Sequence, residues 1–205
     1  TVQSSLTKFP YLRKIWQNNT EEERLLGVSL TGIMDNPLLT SKNKGLSQTL
    51  NHLRHVAVQT NKEWAERLGV QQSTAITCVK PSGTVSQLVD SASGIHARHS
   101  QHYIRTVRGD NKDPITQFMA DQGIPAEPCV MKPDTTMVFS FPIQSPKNAV
   151  TRNDMTAIEQ LEMWLIYQRH WCEHKPSVTI TVKDDEWMDV GAFVYKNFDE
   201  MSGVS

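Results

Sequence analysis

Thr74-Ala75-Ile76-Thr77-Cys78-Val79 runs straight into Lys80-Pro81-Ser82-Gly83-Thr84-Val85-Ser86, so a β-prone apolar stretch stops at a proline and gives way to a helix-prone one. Pro81 has no N–H and a fixed φ, which ends the strand, while Gly83 lets backbone approach an anion with no Cβ in the way. Ser82, Thr84 and Ser86 offer hydroxyls, and a helix opening near Thr84 offers unpaired N–H groups at the positive end of its dipole. Pro81, Ser82, Gly83, Thr84, Val85 and Ser86 are therefore candidate phosphate-binding residues. The competing reading is an ordinary helix cap, which Ser and Thr supply in many proteins with no ligand nearby, and composition alone puts that reading first. Neither a Walker A sequence nor a G-x-G-x-x-G fingerprint is present.

Outward from this loop, strand-like and helix-like stretches alternate. Thr20-Glu21-Glu22-Glu23 has the form of a capping box and predicts a short helix ending at Gly27, followed by a strand over residues 28–34. Leu50, Leu53, Ala57, Trp64 and Leu68 recur on one helical face from residue 47, with Gly69 as the stop. Beyond the loop, residues 102–108 read as a strand, Asp113, Pro114 and Gly123 punctuate a helix, and residues 136–141 read as a strand. A long helix over 153–171, a strand over 177–182 and a last helix showing Trp187, Val190, Gly191, Val194 and Phe198 complete the pattern. The alternation predicts an α/β fold with crossover connections and, lacking any linker composition or repeat, a single unit over residues 1–205.

Bulk properties bound the function. A chain of 205 residues with 38% hydrophobic content can bury a core. A net charge of −1 gives no electrostatic reason to expect nucleic acid or an anionic membrane as partner. Cys78, Cys129 and Cys172 are odd in number and far apart, so neither a disulfide framework nor a zinc ribbon is indicated, and a reducing cytoplasm is the natural setting. No apolar run reaches the length of a membrane span.

Lys80 to Ser86, followed by Ser93-Gly94-Ile95-His96 and preceded by Arg24-Leu25-Leu26-Gly27-Val28-Ser29-Leu30-Thr31-Gly32, resembles the carboxy-side half of the catalytic barrel of ribonucleotide reductases. Thr1-Val2-Gln3-Ser4-Ser5-Leu6-Thr7 and His174-Lys175-Pro176-Ser177-Val178-Thr179 are similar to the adenosylcobalamin-dependent, monomeric (class II) ribonucleoside-triphosphate reductase branch. The motifs occur in the family's order. The resemblance implies part of a ten-stranded α/β barrel, a ribonucleoside triphosphate as substrate, adenosylcobalamin in its base-on form as radical source, and an external dithiol such as thioredoxin as reductant. It also implies that residues 81–86 hold the substrate phosphates and that the remainder of the barrel is a partner. The Asn-x-Cys-x-Glu segment that carries the family's radical cysteine and its glutamate is absent, as are a Tyr-Tyr pair and an Asp-x-His-x-x-Gly motif. The chain is accordingly read as a fragment with no catalytic residue of its own, inactive alone. The alternative reading is a stand-alone, non-catalytic α/β nucleotide-binding module.

The remaining chemistry-bearing residues have plainer explanations. His170, Cys172 and His174 have zinc-compatible spacing, yet a helix end accounts for them, and no metal site is expected. Glu21–Glu23 and Asp184–Glu186 are read as helix-start charges. Arg105 and Arg108 suit either phosphate or an acidic neighbour. Met119, Met131, Met137, Met155 and Met163 are read as core filling, and the three cysteines as small buried hydrophobes.

Overall fold

The computed structural model describes residues 1–205. Contacts group the chain into two compact units, Thr1–Arg98 with Asn148–Ser205, and His99–Lys147. Composition gave no hint of this division, because the second unit is set into the first without a linker-like sequence on either side.

In the first unit, helix α1 (Lys14–Glu23) ends at Arg24 in the left-handed region and precedes strand β1 (Val28–Ser29). Helix α2 (Leu46–Leu68) then leads to strand β2 (Thr77–Cys78), which pairs parallel to β1 in the register Val28 with Thr77 and Ser29 with Cys78. This is a β-α-β crossover. Gly69 closes α2 with φ +64, a conformation that costs a glycine little. The one-turn helix α3 (Val85–Leu88) follows the loop after β2.

Helix α5 (Ala157–His170) carries the largest part of the core, with Leu161, Met163, Trp164 and Tyr167 at 1% exposure or less, the last three clustered with Ile33, Leu50 and Val79. Each buried polar tip on these aromatics finds a carbonyl, as a low-dielectric interior requires. Trp164 Nε1 donates to Pro176 (2.9 Å), Trp171 Nε1 to Cys78 (2.7 Å) and Tyr167 OH to Leu39 (2.8 Å). Helix α6 (Trp187–Lys196) adds Phe193 to the core margin.

The second unit is a three-stranded antiparallel sheet in the order β3-β5-β4, with β3 His102–Asp110, β4 Ala126–Pro128 and β5 Thr136–Gln144. Helix α4 (Pro114–Asp121) starts where Asp113 accepts from the Ile115 N–H (3.1 Å), and Gly123 follows it at φ +75. Crossovers thus describe β1 and β2 alone, not the whole chain.

Several local expectations are corrected. Thr20 is in the last turn of α1, donating to the Trp16 carbonyl (2.8 Å), so Thr20 to Glu23 end a helix rather than start one. The true capping box is Thr156 with Glu159, placing the start of α5 at Ala157, four residues later than the 153 expected. The strand expected over 28–34 stops at Ser29, because Gly32 at φ +69 turns the chain into a 3-10 turn at Ile33–Asp35. Residues 177–182 form no strand; Ser177 donates to Val79 (2.9 Å), and Ile180 and Val178 exchange bonds with Ser205 alone (2.7 and 3.4 Å), isolated bonds instead of a ladder. On α6, Trp187 is 62% exposed and nearby Phe198 70%, so neither supplies the packed face. Met131, at 85%, fills no core.

Candidate functional site

The loop after β2 sits at the carboxyl end of a parallel strand pair, where α/β folds open their crevices. Its position is fixed from below. The Lys80 N–H donates to Ser29 Oγ (3.0 Å), tying the loop's start to β1. Gly94, at φ +54, lies so close that a Cβ there would come within 2.8 Å of the Lys80 carbonyl oxygen. Only glycine fits there without strain.

The six candidate residues divide into two kinds. Ser82 and Ser86 are engaged within the protein: Ser82 Oγ meets Thr31 Oγ1 at 2.5 Å, and buried Ser86 donates both its N–H (2.9 Å) and its hydroxyl to the Ser82 carbonyl. Gly83, Thr84 and Val85 are exposed, and none of their three successive N–H groups has a partner; the Thr84 hydroxyl caps nothing. Pro81 is exposed and donates nothing. Gly83 has nothing within 4 Å of a would-be Cβ and no left-handed φ, so its value is the open approach it leaves above the backbone. The site is thus a row of main-chain donors rather than the ring of hydroxyls that the sequence suggests.

Beside it lies a cavity of about 260 Å³ lined by Cys78, Lys80, Pro81, His174 and Lys175 among others. The two lysines favour an anion. Larger hollows lie elsewhere: one of about 460 Å³ sets the Asp154 and Glu159 carboxylates against a single lysine, Lys42, and one of about 510 Å³ along β3 and β5 has no lysine or arginine in its wall. Neither suits a phosphate.

Sequence reasoning missed what holds the far side of the loop. Arg98, with a side chain 5% exposed, grips both oxygens of Asp35 (3.0 and 2.8 Å) and the Asp90 carbonyl (2.9 Å), and Asp35 also accepts from the Ala92 N–H (2.7 Å). Residues 63 apart in sequence leave no periodic signal. His96 stands at a second junction, its Nε2 accepting from the Thr179 N–H (3.0 Å) while Nδ1 bonds to the Ser93 carbonyl (2.9 Å). Arg108 faces Cys129 rather than any carboxylate.

His170 and His174 have separate partners, Asn51 Oδ1 (3.2 Å) and the Leu26 carbonyl (2.6 Å), and no three His, Cys, Asp or Glu side chains gather as a metal would need. All three cysteines are free and buried. Desolvation raises the thiols of Cys78 and Cys172, the latter to about 12, whereas Cys129 is lowered by the backbone N–H groups of Met131 and Lys132. No helix is long and apolar enough to cross a membrane.

Comparison with known proteins now bears on this geometry. The fold is that of a B-12 dependent (class II) ribonucleotide reductase crystal structure, matched with a TM-score of 0.83 over 98% of this chain and 32% of that one, at 23% identity. An adenosylcobalamin-dependent ribonucleoside-triphosphate reductase of Euglena gracilis is 31% identical over 172 residues, covering 81% of this chain and 23% of the relative. One from Lactobacillus gasseri is 26% identical, and a probable one from Dictyostelium discoideum 27%, each over 88% of this chain. No protein-family model matches. Most of the chain is thus similar to one segment of adenosylcobalamin-dependent ribonucleoside-triphosphate reductases; it spans 23% to 28% of the length of these relatives.

Proposed function

We propose that the chain works as part of a radical enzyme that reduces ribonucleoside triphosphates to 2'-deoxyribonucleoside triphosphates for DNA synthesis, and that residues 81–86 hold the substrate phosphates. The observation that carries the site is the run of unpartnered N–H groups at Gly83, Thr84 and Val85, beside a cavity bearing Lys80 and Lys175. Successive main-chain donors in a turn favour anions. Binding the triphosphate away from the reacting carbon turns binding energy into orientation of the ribose.

Adenosylcobalamin, which the relatives are named for, would supply the radical. Half-buried His96 and His174 do not fit it as a ligand set, since His96 has both ring nitrogens engaged and His174 directs Nε2 to a carbonyl. No residue of this chain is assigned to the corrin and no step is routed through it. Buried Cys78 and Cys172, with raised thiols, are poor candidates for the reducing pair. An external dithiol such as thioredoxin would regenerate a pair that the rest of the enzyme supplies.

Two measurements test the reading. Residues 1–205 alone should form no deoxynucleotide with adenosylcobalamin, a dithiol and a ribonucleoside triphosphate; cofactor-dependent turnover would sink the assignment of chemistry elsewhere. In the intact reductase chain, Thr84→Ala should weaken triphosphate binding by about 1.5–3 kcal/mol, the worth of one hydrogen bond to a charged group. Gly83→Val should weaken it more. Because a Cβ at Gly83 meets nothing within 4 Å, the loop itself tolerates the larger side chain and the loss should fall on the ligand. Unchanged triphosphate affinity in Gly83→Val would return the loop to an ordinary helix cap.

A further inference from the structure

We infer that Thr31 is a positioning residue for the phosphate loop, acting through Ser82 without touching the ligand; the inference rests on residues 81–86 being that loop. Three groups from two other segments meet at the Thr31 hydroxyl. Its oxygen lies 2.5 Å from Ser82 Oγ, accepts from the Gly94 N–H (3.0 Å) and reaches the Ala92 carbonyl (3.1 Å). The Gly94 N–H also lies 3.2 Å from Ser82 Oγ.

Either hydroxyl can donate across the short contact, since the Thr31 proton has both Ser82 Oγ and the Ala92 carbonyl in reach, and that carbonyl also accepts from the Gly32 N–H (2.8 Å). In each arrangement the Ser82 side chain is engaged with Thr31 and holds the residue just ahead of the free N–H groups at Gly83, Thr84 and Val85.

The clamp has nothing to slide against. Gly94 lies so near the Lys80 carbonyl that no side chain would fit there, and the chain at Ala92 is held by Asp35, itself gripped by Arg98. Thr31 therefore joins this frame to the loop, alongside the longer Gly94 N–H contact to Ser82 Oγ (3.2 Å). Removing its hydroxyl takes away the shortest contact to Ser82 and loosens the residue that leads into the three donors. A group held this way lowers the ordering that a ligand must impose when it binds.

The test uses the intact reductase chain and three variants: Thr31→Val, which keeps the shape without the hydroxyl, Thr31→Ser, which restores it, and Ser82→Ala. Thr31→Val should raise KM for the ribonucleoside triphosphate roughly tenfold, the scale of one to two lost hydrogen bonds. Adenosylcobalamin affinity should be unchanged. Thr31→Ser should recover most of the loss. Ser82→Ala should match Thr31→Val, and the double variant Thr31→Val/Ser82→Ala should be no worse than either single one, because both break the same link. Additive losses, failure of Ser to rescue, or an equal loss of cofactor affinity would overturn the positioning role. Should Thr31→Val not fold, Ser82→Ala carries the same expectation, and unaltered KM there overturns it. If Gly83→Val leaves triphosphate affinity intact, the phosphate loop itself has failed; if Gly83→Val weakens binding and Thr31→Val does not, only this inference has.

Discussion

Strands β1 and β2 pair over two positions, whereas β3 and β5 pair over nine. The short parallel pair carries the candidate site, and the long antiparallel one carries no feature assigned to it. A two-residue ladder cannot hold a loop in place by main-chain bonds, so the first unit relies on side chains reaching backbone across long sequence distances: Trp164 to Pro176, Trp171 to Cys78, Thr31 to Ala92, Asp35 to Ala92. In the second unit the backbone holds itself. The difference shows where each unit is vulnerable, to loss of a single buried side chain in one and to disruption of turns and caps in the other.

The largest effect should come from Trp164→Ala. It empties a fully buried site on α5 and should cost about 3–5 kcal/mol in urea denaturation followed by circular dichroism. Amide hydrogen exchange sharpens the comparison, because β3 and β5 should keep their protection when the first unit loosens; simultaneous loss in both would merge the two units into one cooperative body. Asp35→Asn should come next, costing about 3 kcal/mol, because it takes the charge from the nearer of the two carboxylates, Asp35 and Asp90, that pair with buried Arg98. Its exchange signature should be confined to residues around 90–98, and a uniform loss would show that the pair braces more than the loop. The smallest effect belongs to the second unit. Asp113→Ala should cost about 1 kcal/mol by removing the cap from α4, with Asp113→Asn nearly neutral. A cost equal to that of Asp35→Asn would erase the contrast.

The same contrast decides what the sequence revealed. Asp113, Pro114 and Gly123 were legible because caps act over a few residues and each has a local physical reason. The Ser/Thr-x-x-Glu pattern proved ambiguous: it marks a start at Thr156 and a last turn at Thr20, and only the flanking chain separates the two. The strand before the loop was legible in place, though its ladder is two residues long, since apolar burial rather than pairing writes the Val79 and Ile76 pattern. The loop's residues lie together at one end of the strand pair, as their order in the chain requires, but the division between engaged hydroxyls and free N–H groups was not legible. It depends on Thr31 and Gly94, which come from 51 positions before Ser82 and 12 after it.

The bridge at Arg98 has an evolutionary consequence. Arg98 N–H donates to Val150 (2.9 Å) and Arg152 N–H returns to Arg98 (2.9 Å), so the chain leaves the first unit and re-enters it at adjoining points. Residues 99–147 are therefore a closed excursion. A lineage can lengthen, trim or rewrite that excursion while the two ends stay stitched, and the Asp35 grip beneath the loop need not register the change. Insertions and deletions among relatives should concentrate there, and the residues from Thr31 to Arg98 should keep their spacing.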